Sequence, residues 1–270
     1  MADYVLREYR EEDSPRLISL WHQVFGDPED LISAFLQRLP AFGAGAVAQH
    51  RGCAVGAAYV LDGMHILDGI GAEQRCGYIY AVAVSPEHRS HGLGAALSQK
   101  AAELSRRRGG NFVCTLPAET SLYPWYEKIL GIGCALRRSS SRVQAAPLLP
   151  CRELEAGEYL ARREELLAGR PHLRINPELM DFAGLFYRSF GGGLNLCGGG
   201  LCAAYGDGEL SIKELLSPEG SAPEAIASSL AAYLGRDRAR YYLPSQDGEP
   251  YISAPAGRLP PELVWNLSFD

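Results

Sequence analysis

"YIYAVAVSPEHRSHGLGAALSQKAAEL", Tyr78–Leu104, is the stretch whose reading decides the fold. An apolar run ends at Ser85-Pro86, as the end of a buried strand does. Gly92 and Gly94 then open a helix that runs through Ala95, Ala96, Leu97, Ala101 and Leu104. Glycines at a helix N-terminus let backbone N–H groups approach a ligand, and the helix dipole favours an anion there. Arg89, just upstream, can add charge-assisted bonds to a phosphate. A tight connection whose glycines only relieve crowding fits the same letters. Two other phosphate-binding patterns do not fit: no third glycine completes a dinucleotide fingerprint, and no Gly-Lys-Ser/Thr closes a P-loop.

Upstream, "YVLREYR" alternates as an edge strand would. "DSPRLISLWHQVFG" reads as a helix with Ser14 as N-cap and Pro15 in its first turn. "DPEDLISAFLQRL" is a second helix. "AGAVAQH" and "CAVGAAYVLDG" read as strands, with "MHILD" continuing the meander after an "LDGM" turn. Downstream, "NFVCTL" is a short apolar strand, "TSLYPWYEKIL" a helix containing Pro124, and "GCALRRSSSRVQA" a closing strand pair. This order places residues 1–147 in one unit with a mixed sheet and helices on its faces. "APLLPCRELEAGEY" reads as a linker, and residues 148–270 as a second, smaller unit. There Asp207-Gly208 marks a hairpin, "APEAIASSLAAYLG" a helix ending at Gly235, and "ARYYLP" and "LVWNLSF" further strands. The second half repeats the syntax of the first without an alignable sequence repeat.

The 270 residues are 47% hydrophobic and 21% charged, an ordinary globular composition. A net charge of −6 lacks the basic stripe that nucleic-acid binding needs. No window reads as a membrane span, and "MADYVLREYR" is charged where a signal peptide is apolar, so the expected place is the cytoplasm. The seven cysteines are scattered with no C-x-x-C pair. This argues against a zinc site or a disulfide framework and predicts no metal.

"HRSHGLGAAL" matches the Q/R-x-x-G-x-G/A pattern of the GNAT superfamily of N-acetyltransferases at Arg89, Gly92 and Gly94. "YPWYEKILGI" resembles that family's second motif, with Tyr126 at its tyrosine and Gly131-Ile132 at its closing Gly-Phe. The resemblance implies an α/β (α+β) fold with a mixed, mostly antiparallel sheet of the acyl-CoA N-acyltransferase type. It implies acetyl-CoA as co-substrate, held through Val82, Ala83, Val84, Arg89, Ser90, His91, Gly92, Leu93, Gly94 and Ala95. The acetyl group would pass to a primary amine of a small molecule or peptide by direct attack. Tyr126 is the implied acid for the departing thiolate; a helical tyrosine packed beside Trp125 is its plainer description. The layout also resembles tandem-domain bacterial members related to the enhanced intracellular survival acetyltransferases. That likeness implies a degenerate second domain without the CoA motif, which walls the acceptor site or mediates a homodimer, and it adds the terminal carboxylate of Asp270 as a catalytic candidate. The residues single out no general base: Glu73, His65 and Glu119 sit near strand ends or loops, where charged side chains are ordinarily solvated. Trp21, His22 and Phe25 stand where the family often builds acceptor pockets. A non-catalytic acyl-CoA sensor is the alternative reading.

Overall fold

The computed structural model describes residues 4–265. Its contacts divide the chain into two units. The first takes the chain to Ile66, then Glu73–Ala135 and Ile252–Leu259. The second takes Leu67–Ala72, Leu136–Tyr251 and the chain from Pro260.

The first unit holds β1 (Tyr4–Glu8), α1 (Ser14–Phe25), α2 (Glu29–Phe42), β2 (Gly43–His50), β3 (Cys53–Leu67), β4 (Glu73–Val84), α3 (Leu93–Arg107), β5 (Phe112–Cys114) and α4 (Leu122–Leu130). The strands lie in the order β1-β2-β3-β4-β5. β1–β2 and β2–β3 pair antiparallel, and β4–β5 pair parallel, joined by a crossover through α3. One face carries α3, whose Leu97 packs with Val55, Ala58, Val60 and Ile79. On the other, Trp21, Phe35, Tyr59 and Tyr80 meet edge to face or tilted. Strand alternation sends Val60 to the first face and Tyr59 to the second.

The second unit holds most of β6 (Gly133–Gln144), then β7 (Cys151–Glu153), α5 (Ala156–Leu167), β8 (His172–Ile175), α6 (Pro177–Ser189), β9 (Gly193–Cys197), β10 (Gly200–Tyr205), β11 (Leu210–Leu216), α7 (Pro223–Tyr233), β12 (Arg238–Pro244) and part of β13 (Glu249–Ala254). Its sheet order is β13-β6-β12-β11-β10-β9-β7. β11 and β12 pair parallel around α7, which repeats the strand-helix-strand crossover of β4, α3 and β5. The Asp207-Gly208 hairpin joins β10 to β11 as expected. Arg163 and Glu214 are both fully buried and paired, with Tyr159 donating to the same carboxylate at 2.9 Å.

Several expectations are corrected. "LDGM" makes no turn, because Asp62 is buried inside the continuous β3 and is bound by Arg108 at 2.6 Å. This tertiary ion pair overrides the local turn chemistry. Ser14 is not the N-cap of α1: Asp13 holds that position and binds Arg7 and the Arg10 N–H, while the Ser14 hydroxyl meets Tyr9. "GCALRRSSSRVQA" is one strand, and from Arg138 onward it pairs with β12. The first unit therefore ends at Ala135 and not at 147, and it regains Ile252–Leu259. Cys151 and Cys197 are register partners across β7 and β9 and form a disulfide, which the scattered spacing concealed. Of "LVWNLSF", Leu263–Trp265 are described, and Val264 bridges His172.

Candidate active site

β4 changes phase in mid-strand. Ile79 packs toward α3, yet so do Val82 and Val84, whereas strict alternation would send 81 and 83 there. The extra residue is Ala81, at φ +47°. A non-glycine residue in the left-handed region inside a strand is the mark of a bulge, and it turns backbone groups out of the ladder. Ala81 also lies where β4 loses its neighbour. The β4–β5 pairing covers only Cys76–Tyr78 against Phe112–Cys114. At Thr115 the chain instead exchanges backbone bonds with Ser253, at 3.0 and 2.8 Å. β4 and β5 part there, and the edge of β4 from Ile79 to Val84 is left without β5.

The Thr115 hydroxyl returns across this gap and donates to Ile79 O at 2.9 Å. Tyr126, on α4, is buried and hydrogen-bonds Thr115. Burial raises the Tyr126 phenol above its ordinary pKa of 10, so it keeps its proton at neutral pH. Trp125 packs edge-on against Tyr126 with ring centroids 4.8 Å apart.

Beyond Val84 a short 3-10 turn, Pro86–His88, leads into the loop. Arg89 is exposed, and its Nε donates to Val84 O at 3.2 Å. His91 Nδ1 donates to Arg89 O at 2.7 Å, so the ring closes the loop on itself. Ser90 (φ +63°) and Gly92 (φ +77°) both take left-handed backbone, which curls the N–H groups inward as an anion nest does. The helical ladder of α3 starts with Ala96 N to Gly92 O at 3.1 Å. The N–H groups of Leu93, Gly94 and Ala95 precede it and point out of the helix end. Leu93 and Ala83 are buried and can offer only backbone to a ligand; Arg89, Ser90, His91 and Gly92 are exposed.

Of the residues expected from sequence, the loop 89–95, Val82–Val84 and Tyr126 thus gather along one edge of β4. Asp270 lies outside the described residues. Glu73 is tied to His65 and stands eight residues before Ala81, about 26 Å along an extended strand. That removes both as candidate bases. Glu119 is exposed on the loop between β5 and α4 and accepts from the Ser121 hydroxyl at 3.2 Å. Trp21 is core, with its indole N–H on Asp27 at 2.6 Å, while Phe25 packs on it and stays half exposed. The sequence reading missed the bulge at Ala81, and it missed Thr115 and Ser253. Of these only Thr115, a hydroxyl closing an apolar strand, left a local signal. No cluster of three His, Cys, Asp or Glu residues among the described ones could hold a metal, and no described helix is long and apolar enough to cross a membrane.

A bulged, splayed β4 feeding a left-handed loop and a helix N-terminus defines an acyl-CoA-type N-acyltransferase fold. Residues 5–132 match the Acetyltransferase (GNAT) family, and this part of the chain is a GNAT acetyltransferase domain. About nine-tenths of the chain aligns with solved structures of low sequence identity. The GCN5-related N-acetyltransferase from Kribbella flavida gives a TM-score of 0.67 at 20% identity, with 93% of this chain and 70% of that one covered. Eis1 from Mycobacterium abscessus gives 0.61 at 17%, covering 92% and 73%. The GCN5-related N-acetyltransferase from Anabaena variabilis gives 0.64 at 14%, covering 93% and 72%. No curated protein matches by sequence.

Proposed function

We propose that the first unit transfers an acetyl group from acetyl-CoA to a primary amine by direct attack in a ternary complex. The observation that carries this reading is the contact chain from Tyr126 through Thr115 to Ile79, two residues before the bulge at Ala81. The left-handed nest of Ser90 and Gly92 and the N–H groups of Leu93–Ala95 take the pyrophosphate, with Arg89 at its edge. The pantetheine arm lies along the β4 edge left open by β5 and bonds to backbone groups of Val82–Val84. An N–H turned out at the bulge polarises the thioester carbonyl as charge builds on its oxygen. The amine nitrogen bonds to the carbonyl carbon, the C–S bond breaks, and the thiolate takes the proton of the Tyr126 phenol. The amine proton leaves to solvent or to a base such as Glu119. The acceptor is a small molecule or a peptide amine.

In this reading the second unit is a degenerate acetyltransferase-like domain. Its β11-α7-β12 crossover repeats the donor-site crossover, but α7 begins after Ala222 without an Arg-x-x-Gly-x-Gly loop.

Differential scanning fluorimetry with acetyl-CoA tests the donor assignment. At a hundredfold excess over Kd, binding to the folded state alone adds about 2.7 kcal/mol. A panel of amines followed by free-thiol release then tests transfer. An unmoved transition with acetyl-CoA overturns the reading, and stabilisation without thiol release across the panel points to the sensor.

A further inference from the structure

The other end of α3 carries a second concavity. A cleft of about 420 Å³ opens between the later turns of α3, the end of α4 and the start of β5. That volume lies in the range of pockets that hold small molecules, roughly 300–1,000 Å³. Its floor is apolar: Ala102, Val113, Ile129 and Ile132 line it. Its rim carries the guanidiniums of Arg106 and Arg258, and no Asp or Glu lines it.

The rim cations differ from their neighbours. Lys100 pairs with Glu103, Arg107 with Glu8 and Arg108 with Asp62. Among the described residues neither Arg106 nor Arg258 is in an ion pair, and Arg106 feels only the more distant charge of Glu103, which Lys100 holds. The polar side chains of the cleft offer donors as well. The Gln99 amide already donates to Ile129 O at 3.3 Å and ties α3 to the last turn of α4. Asn111 spends its oxygen on the Arg75 N–H at 2.9 Å, which leaves its amino group to donate. An apolar floor below a rim of donors and unpaired cations complements an anion with an apolar body. Two guanidiniums with no carboxylate in the lining suit one carboxylate group in particular.

We propose that this cleft binds a free carboxylate on an apolar chain, of medium-chain fatty-acid type, at a site separate from the donor loop. Arg106 lies 12 residues along α3 from Gly94, about 18 Å of helix. The carboxylate sits between Arg106 and Arg258, and the chain lies over the partly exposed Ile129 and Leu130. Occupancy there bears on the packing of α3 against α4, the two helices that carry the glycine loop and Tyr126.

Equilibrium dialysis of radiolabelled octanoate against the full chain tests this, with and without saturating CoA, and with octylamine as the opposite-charge control. One octanoate per chain is expected, unaffected by CoA, with no octylamine bound. R106Q/R258Q, which alters two exposed side chains, should keep the wild-type circular dichroism spectrum and bind at least tenfold more weakly. R258E alone should weaken binding more than R258Q. Absence of octanoate binding to the folded chain overturns the proposal. So does equal binding by R106Q/R258Q, equal binding of octylamine, or displacement by CoA. The last result assigns octanoate to the donor site, and none of these outcomes bears on acetyl transfer.

Discussion

The indole of Trp125 lies 3.7 Å from the position that a Cβ on Gly94 would occupy, so the aromatic residue of α4 covers the glycine loop at the head of α3. That distance is ordinary van der Waals contact, which makes the space at Gly94 sufficient for one methyl and no more. Gly94→Ala is expected to bind acetyl-CoA within about threefold of wild type. Gly94→Leu must displace Trp125 and should weaken binding more than tenfold, a loss of at least about 1.4 kcal/mol. Isothermal titration of CoA into the two variants checks the pair.

Gly92 poses the opposite case. A Cβ there meets nothing within 4 Å, so the cost of a side chain is its backbone strain alone at φ +77°. Gly92→Ala should cost about 1–2 kcal/mol, and Gly92→Asn less, because asparagine tolerates left-handed backbone. Thermal unfolding without ligand measures the strain directly. A Gly92→Asn variant no more stable than Gly92→Ala would show that shape and not strain governs the loop.

Tyr126→Phe removes one hydroxyl and little packing. The expected result is a fall in kcat of about 10²–10⁴ with KM for acetyl-CoA nearly unchanged. Because burial raises the phenol above 10, the acid form persists, and kcat should show no alkaline loss below pH 10. The same shift favours the folded state fully below the unfolded phenol's pKa and fades only as pH rises through the folded value. A pH–rate profile of wild type beside Tyr126→Phe reads both effects. An alkaline limb near pH 8 that vanishes in the variant would contradict this role.

In the second unit, Arg163→Met leaves the Glu214 carboxylate buried without its guanidinium. The loss should be about 3–5 kcal/mol, whereas Arg163→Met with Glu214→Gln should recover part of it. Urea denaturation followed by circular dichroism compares the two. If the single and double variants are equally stable, the lost ion pair is not what the single variant costs the fold.

The loop and the tyrosine helix were readable because their demands are local: a glycine for a left-handed turn, a proline to end a strand, an apolar period for α3. What escaped was non-local. Nothing in "YIYAVAV" marks Ala81, since alanine has no preference for φ +47°, and only the sheet and α3 together hold it there. "LDGM" carried a genuine turn signal that lost to Arg108, forty-six positions away. Cys151 faces Cys197 only once the register of β7 on β9 is set. Thr115 looked like the tail of a short strand, and its partner Ser253 comes from near the end of the chain.

That bridge has a practical consequence for dissecting the protein. Thr115 exchanges both backbone bonds with Ser253, and Ile252–Leu259 belong to the unit that holds the loop and Tyr126. A gene cut at the proline-rich joint near residue 147 would therefore strip the transferase of one of its own walls. The two halves are modules in space but not in sequence, and an active fragment needs residues 252–259 returned to it, by circular permutation or as a peptide added in trans.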